Sequence, residues 1–139
     1  MIRRMQKKEL DRIGQIWLQG NLDAHDFVDK NYWLDHLNEV KEQFQQADIF
    51  VYVEGNIKGF VGLKDDYIAG IFVDKKYRNQ GIGRQLLNYL KQNYDQLILD
   101  VYLKNLAARS FYRQNDFKLN FTDIDRGNNE KEEQLIWIK

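Results

Sequence analysis

The stretch Ile71-Phe72-Val73-Asp74-Lys75-Lys76-Tyr77-Arg78-Asn79-Gln80-Gly81-Ile82-Gly83-Arg84 decides how the rest of the chain is read. It opens as an apolar, β-branched run suited to a buried strand and closes on two glycines directly before a helical pattern. Glycines at a helix entrance let the backbone come close to a ligand. The first helical turn then offers N–H groups without intrahelical partners, at the positive end of the helix dipole. Arg78 and Arg84 add full charge there. The segment Asn79 to Arg84 therefore predicts a diphosphate site in which backbone amides supply most of the binding.

Two familiar phosphate-binding patterns can be set against this spacing. A P-loop needs Lys and Ser or Thr directly after its last glycine, whereas Gly83 is followed by Arg84 and Gln85. A dinucleotide fingerprint needs a third glycine where Leu86 stands, and its first glycine directly after the strand, whereas Asp74 to Gln80 intervene. Only Asp100, at the end of the next apolar run, imitates the ribose-binding acid of that fingerprint.

A different pattern fits better. Arg78-x-x-Gly81-x-Gly83, after an Ile-x-Val strand and before a helix, resembles the acetyl-CoA motif of the GNAT N-acetyltransferase family. About twenty residues later, Asn105-Leu106-Ala107-Ala108-Arg109-Ser110-Phe111-Tyr112-Arg113-Gln114-Asn115-Asp116-Phe117 looks like the family's other signature. That signature is an Asn, a small-residue helix, an aromatic-Tyr pair and a closing Gly-Phe. Asp116 departs from it, standing where the family usually has a left-handed glycine, a conformation that Asn or Asp reaches at modest cost.

Outward from these motifs, the chain reads as one domain over residues 1–139, with no proline, repeat or low-complexity tract to mark a boundary. Residues 1–5 suit a short strand. Leu10, Ile13, Ile16 and Trp17 share a helical face from about Lys7, with Gly20 as the expected stop and Asn21 to Asp26 as a loop. Trp33, Leu37, Val40 and Phe44 mark a second helix over Asp29 to Gln45. Ile49–Val53 and Ile57–Leu63 form a hairpin, Tyr67–Val73 the strand into the central motif, and Gly81 to Asn93 a helix. Leu97–Val101 is a buried strand, and Phe117–Ile124 and Glu133–Ile138 are strands around the polar loop Asp125 to Glu132.

This order suits an α/β class with one mixed sheet and helices on both faces. The resemblance implies the GNAT-like acyl-CoA N-acyltransferase fold, with about six to seven strands, four helices, and a sheet that splays between residues 67–73 and 97–101. In the family the pantetheine arm of acetyl-CoA enters that gap and pairs with backbone groups of the first strand, here Ile71, Phe72 and Val73. The cofactor-binding expectation thus covers Ile71, Phe72, Val73, Arg78, Asn79, Gln80, Gly81, Ile82, Gly83, Arg84 and, through its side-chain amide, Asn105. Asn105 also suits a plain helix N-cap.

Acetyl transfer to an amine requires a neutral amine, a polarised thioester carbonyl and a proton for the departing thiolate. A backbone N–H of Ile71 to Val73 can polarise the carbonyl. The resemblance implies that Tyr112, seven residues after Asn105, faces the coenzyme sulfur as the acid; its alternative is a packing role beside Phe111. Asp100 stands near where some family members keep a catalytic Glu, with Asp65 and Asp66 as rivals and a strand-end ion pair as the plainer role. Tyr67 is expected to line the acceptor pocket or to end its strand. His25, in the loop that commonly walls the acceptor site, is expected at the substrate or in solvent. Its run His25-Asp26-Phe27 with Tyr32-Trp33 is similar to a subset of small stand-alone bacterial members, some acting on protein lysines. Residues 125–133 are expected as a flexible edge of the same site.

Lys plus Arg and Asp plus Glu number 21 each, a neutral balance that argues against a general nucleic-acid binder. Without cysteine there is no disulfide framework, thiolate nucleophile or thiolate metal site, and the chemistry requires no metal. No apolar run reaches the length of a membrane span, so the expectation is a cytoplasmic protein with no membrane partner, a monomer or homodimer. The expected partners are acetyl-CoA and an amine acceptor, either a small molecule or a protein lysine or N-terminus. The competing expectation is a non-catalytic acetyl-CoA-binding module.

Overall fold

The computed structural model describes residues 1–139. Strand β1 (Ile2–Arg4) leads through a short 3-10 turn into helices α1 (Leu10–Ala24) and α2 (Lys30–Gln46). Strands β2 (Asp48–Glu54), β3 (Asn56–Lys64) and β4 (Tyr67–Val73) follow, then helix α3 (Ile82–Lys91), strand β5 (Gln96–Tyr102), helix α4 (Leu106–Gln114) and strands β6 (Lys118–Asp125) and β7 (Glu130–Ile138). All seven strands form one mixed sheet in the order β1-β2-β3-β4-β5-β7-β6, in which only β4 and β5 run parallel. No helix is long and apolar enough to cross a membrane.

Each face of the sheet carries its own core. Under α3 and α4, Leu86, Leu87 and Leu90 are sealed against Val61, Leu63, Leu97, Leu99 and Leu135, each such burial contributing about 2 kcal/mol. Under α1 and α2, Ile13, Ile16, Trp17, Trp33 and Phe44 pack on Ile49, Val51, Ile57 and Phe60. Alternation along the strands divides the two sets, so that Phe50 and Val51 face opposite ways.

One irregularity in β4 sets up the site. Opposite β3, Gly62 pairs with Gly70 and Leu63 with Ile68, which leaves Ala69 as an extra residue in a bulge. The bulge reverses the alternation. Ile68 faces the α3/α4 core, yet it is Ile71 and Val73 that also turn to that side, while Phe72 turns toward α1. Beyond the bulge β4 keeps its pairing with β3 as far as Val73 but loses β5. The parallel pairing is confined to Tyr67 with Ile98 and Ile68 with Leu99. The sheet is therefore open between residues 69–73 and 100–102, with a zipped end where Ile98 N–H donates to the Asp66 carbonyl at 3.0 Å.

Two boundaries differ from the sequence expectation. Gly20 does not end α1, which continues to Ala24 and takes in most of the expected loop at Asn21 to Asp26. The glycine serves clearance: a Cβ there would lie 2.7 Å from Cδ1 of Phe72, the ring that the bulge has turned toward the helix. The polar segment 125–132 is half strand, with the turn confined to Arg126 to Asn129, and Asn129 there takes a left-handed φ of 52°. Its charges sit on an outer hairpin whose strand β6 is almost wholly exposed, so polarity did not exclude pairing.

Two glycine substitutions in α1 separate these effects. A Cβ at Gly14 would press on the flexible Lys41 stem at 3.1 Å and meet Leu37 at an ordinary 3.5 Å, so Gly14→Ala should keep or raise stability, by up to about 1 kcal/mol from helix propensity. Phe72 is stacked on Phe60 and closely flanked by Gly70, and cannot yield. Gly20→Ala should therefore cost roughly 1–2 kcal/mol net, read as a lower denaturation midpoint.

Candidate active site

The loop after β4 is held from below. Asp74 accepts from Lys76 N–H and from the Arg12 guanidinium, at 3.0 and 2.7 Å, so the 3-10 turn at Lys75–Tyr77 rests on α1. The backbone then passes through two left-handed residues, Asn79 at φ 63° and Gly81 at φ 82°. The first helical bond at this end of α3 is Gln85 N–H to the Gly81 carbonyl at 3.0 Å, which leaves the amides of Ile82, Gly83 and Arg84 without intrahelical partners. The two glycines serve different ends. Gly81 provides the left-handed turn, whereas a Cβ on Gly83 would come within 3.0 Å of the Phe111 ring, so Gly83 lets α3 and α4 pack closely.

The two arginines also differ. Arg84 and Gln80 are exposed, and Arg84 makes no ion pair. Arg78 is engaged: its Nε donates to the Val73 carbonyl at 3.1 Å and its Nη2 to Asp23 at 3.2 Å, tying the loop to the end of α1.

Tyr112 projects from α4 into the α3/α4 core, edge-on to Phe111 and Phe117 with ring centroids 5.3 and 5.6 Å away. Burial pushes its phenol pKa up. Its hydroxyl has no protein partner, yet the one sealed side-chain polar atom without a partner is Trp33 Nε1, so the phenol oxygen keeps contact with open space. Asp116 adopts the left-handed φ of 72° expected after α4, and Phe117 N–H closes the helix on the Tyr112 carbonyl at 3.0 Å.

At the closed base of the fork, Tyr67 donates to Asp100 at 2.8 Å. Burial, then that bond and the nearby charges of Asp100 and Glu132, hold the Tyr67 proton firmly. Asp100 is exposed rather than desolvated. Asp65 and Asp66 lie at the zipped end of β4, where Asp66 accepts from Gln96 at 2.9 Å, away from the opening. The carboxylate under pressure is Glu132, which sequence reading did not single out. Partial burial, followed by the charges of Asp100, Asp125 and Asp123, raises its pKa to about 7. Its neighbours come from β5 and β6, where Tyr102 and Asp123 stand opposite it. Glu133, one residue on, points to the other face and is neutralised by Arg109 at 2.9 and 3.3 Å.

His25 is neither a solvated side chain nor part of a loose loop. It caps α1, and its ring lies 5.7, 5.4 and 5.0 Å from those of Phe27, Trp33 and Tyr102. Burial lowers its pKa to about 4. Its Nδ1 meets Asn21 Oδ1 at 2.9 Å and its Nε2 meets Asn105 Nδ2 at 3.0 Å. Asn105 is the N-cap of α4, its Oδ1 accepting from Ala108 N–H at 3.2 Å. The turn after β6 closes this wall, with Tyr102 donating to Asp125 and Asn128 donating to both.

The buried phenol thus packs in the same core as Ile71 and Val73 of β4, on the α3 and α4 face, while the wall of His25 and Tyr102 lies on the α1 and α2 face. Known proteins share this fold. A family model described as the acetyltransferase (GNAT) domain matches residues 45–119. The peptidyl-lysine N-acetyltransferase YiaC of Escherichia coli is 35% identical over 122 residues, covering 86% of this chain and 84% of that protein. The solution structure of apo-form YjaB from Escherichia coli superposes with a TM-score of 0.87 at 25% identity, over 99% of this chain and 96% of that one. The yncA structure of Salmonella typhimurium, solved with its cofactor acetyl-CoA, gives a TM-score of 0.68 at 16% identity, over 99% and 92% of the two chains. The chain belongs to the GNAT family of acetyltransferases.

Proposed function

We propose that this protein transfers the acetyl group of acetyl-CoA to a primary amine, with a protein lysine as the favoured acceptor, by direct attack in a ternary complex. The observation that carries this reading is the fork between β4 and β5, with Tyr112 beside it and the unpaired amides of α3 at its mouth. Those residues fit acetyl-CoA: Ile82, Gly83 and Arg84 offer N–H groups and a free cation to a diphosphate, with Asn79, Gln80 and Gly81 shaping the turn. The unpaired edge of β4 at Ile71 to Val73 is available to the pantetheine arm, and the carboxamide of Asn105 caps α4 just beyond the end of β5. The curated relative at 35% identity is named for peptidyl-lysine, and the Asp100, Asp123, Asp125 and Glu132 carboxylates suit a cationic side chain.

In the transfer, the amine lone pair attacks the thioester carbon and a C–N bond forms. An N–H on β4 stabilises the oxyanion. Collapse breaks the C–S bond, the Tyr112 phenol protonates the leaving thiolate, and the proton of the new ammonium passes to Glu132 or through water to Asp100. The alternative is a module that binds acetyl-CoA without turnover. Release of free thiol from acetyl-CoA with lysine peptides and a panel of small amines separates the two: uptake of coenzyme with no thiol released from any amine would leave only the binding module. The setting is expected to be cytoplasmic.

Tyr112→Phe should lower kcat by roughly a hundredfold while acetyl-CoA affinity, measured by calorimetry, changes little. Activity should rise with pH through about 7 as Glu132 ionises, and Glu132→Gln should remove that limb. The same raised pKa gives a stability contribution that is full below about 4.5 and lost as pH climbs through about 7. Glu132→Gln should therefore melt higher than the unsubstituted protein above pH 7 and no higher in acid, so that one substitution costs turnover and gains stability.

A further inference from the structure

The last turn of α1 touches both limbs of the fork. On the β4 side, Gly20 abuts the Phe72 ring and Asp23 pairs with Arg78 just past the strand end. On the β5 side, His25 lies edge-on to Tyr102 and bonds Asn105 at the head of α4. A single chain of hydrogen bonds runs from this turn to that helix, and its direction is fixed at both ends by backbone. Ala108 N–H can only donate, so the Asn105 atom it meets is the carbonyl oxygen, and the NH2 of Asn105 faces His25. The Trp17 carbonyl can only accept, so the NH2 of Asn21 points to it at 2.9 Å and the Asn21 oxygen faces His25. Between these two amides the imidazole has one arrangement: Nδ1 carries the proton and donates to Asn21, and Nε2 is bare and accepts from Asn105. Asn21, at 3% exposure, has no route to water as a substitute partner.

We propose that Asn21 and His25 are positioning residues for acetyl transfer, holding the Asn105 carboxamide and the first turn of the Tyr112-bearing helix at a set place across the fork. This rests on the acetyl-transfer reading above. His25 then acts through Asn105 and α4 and need not touch the acceptor amine. Its packing among Phe27, Trp33 and Tyr102 keeps it neutral and rigid, as a fixed hydrogen-bond acceptor must be.

The test has a spectroscopic arm and a kinetic arm. Long-range 1H–15N NMR of the full chain at neutral pH should show His25 as the Nδ1–H tautomer, with a bare Nε2, and a side-chain amide of Asn105 shifted by its bond to that nitrogen. His25→Phe keeps an aromatic ring and removes both bonds. It should lower kcat about tenfold or more, with acetyl-CoA affinity by calorimetry altered less than the rate. His25→Gln returns an acceptor to the vicinity of Nε2 and should recover most of the loss. An Nε2–H tautomer, or a folded His25→Phe that turns over like the unsubstituted protein, would overturn the proposal. If His25→Phe does not fold, the tautomer still decides. Absence of thiol release by the unsubstituted protein would count against acetyl transfer itself and leave the tautomer result standing, so the two failures are distinguishable.

Discussion

The structure depends on the failure of two neighbouring strands to stay together. Parallel pairing of β4 and β5 would satisfy the backbone along their whole length, but the bulge at Ala69 confines it to one end. A bulge increases twist and re-aims side chains, and here both effects matter. The added twist turns β4 away from β5. The reversal of alternation sends Phe72 toward α1, where Gly20 receives it, so the helix above the fork is seated on the strand that makes it. Each limb then keeps its pairing on the far side, β4 with β3 and β5 with β7, which is how unpaired backbone persists inside an otherwise complete sheet.

Electrostatics follow from the same alternation. Adjacent glutamates on β7 meet opposite circumstances because successive side chains leave a strand on opposite faces. Glu133 is buried against Arg109 and is paired, whereas Glu132 faces Asp100, Asp123 and Asp125 and resists ionisation. Around His25 desolvation likewise favours the neutral form, which for an imidazole means a lowered pKa. The site thus pairs a titratable acid on one strand with an imidazole that does not charge near neutrality.

The sequence carries most of the scaffold. The strand at Tyr67–Val73 and the helix beginning near Asp29 were legible because periodicity and capping residues agree there, and Asp29 does cap α2 by accepting from Asn31 N–H at 2.8 Å. Asp116 was legible as a left-handed residue from its place in the family's second signature. Features set by a distant partner were not. Gly20 reads as a stop until Phe72 is known to lie against it, and Ala69 has nothing in its side chain to announce a bulge. The pairing of Arg78 with Asp23 has no local sign either, because the extra turn of α1 is what brings the two together. Glu132 lacks any local sign because its pressure comes first from burial and then from three carboxylates on neighbouring strands, both set by tertiary structure.

The two hydrophobic clusters lie on opposite sides of the sheet, and the fork is a place where the layer between them is incomplete. Whatever threads that opening becomes a temporary strand, supplying backbone-like partners to β4 and mortar between the two halves. Occupancy should then register as cohesion of the whole molecule, by mass action on the folded state, and not only as chemistry at one thioester.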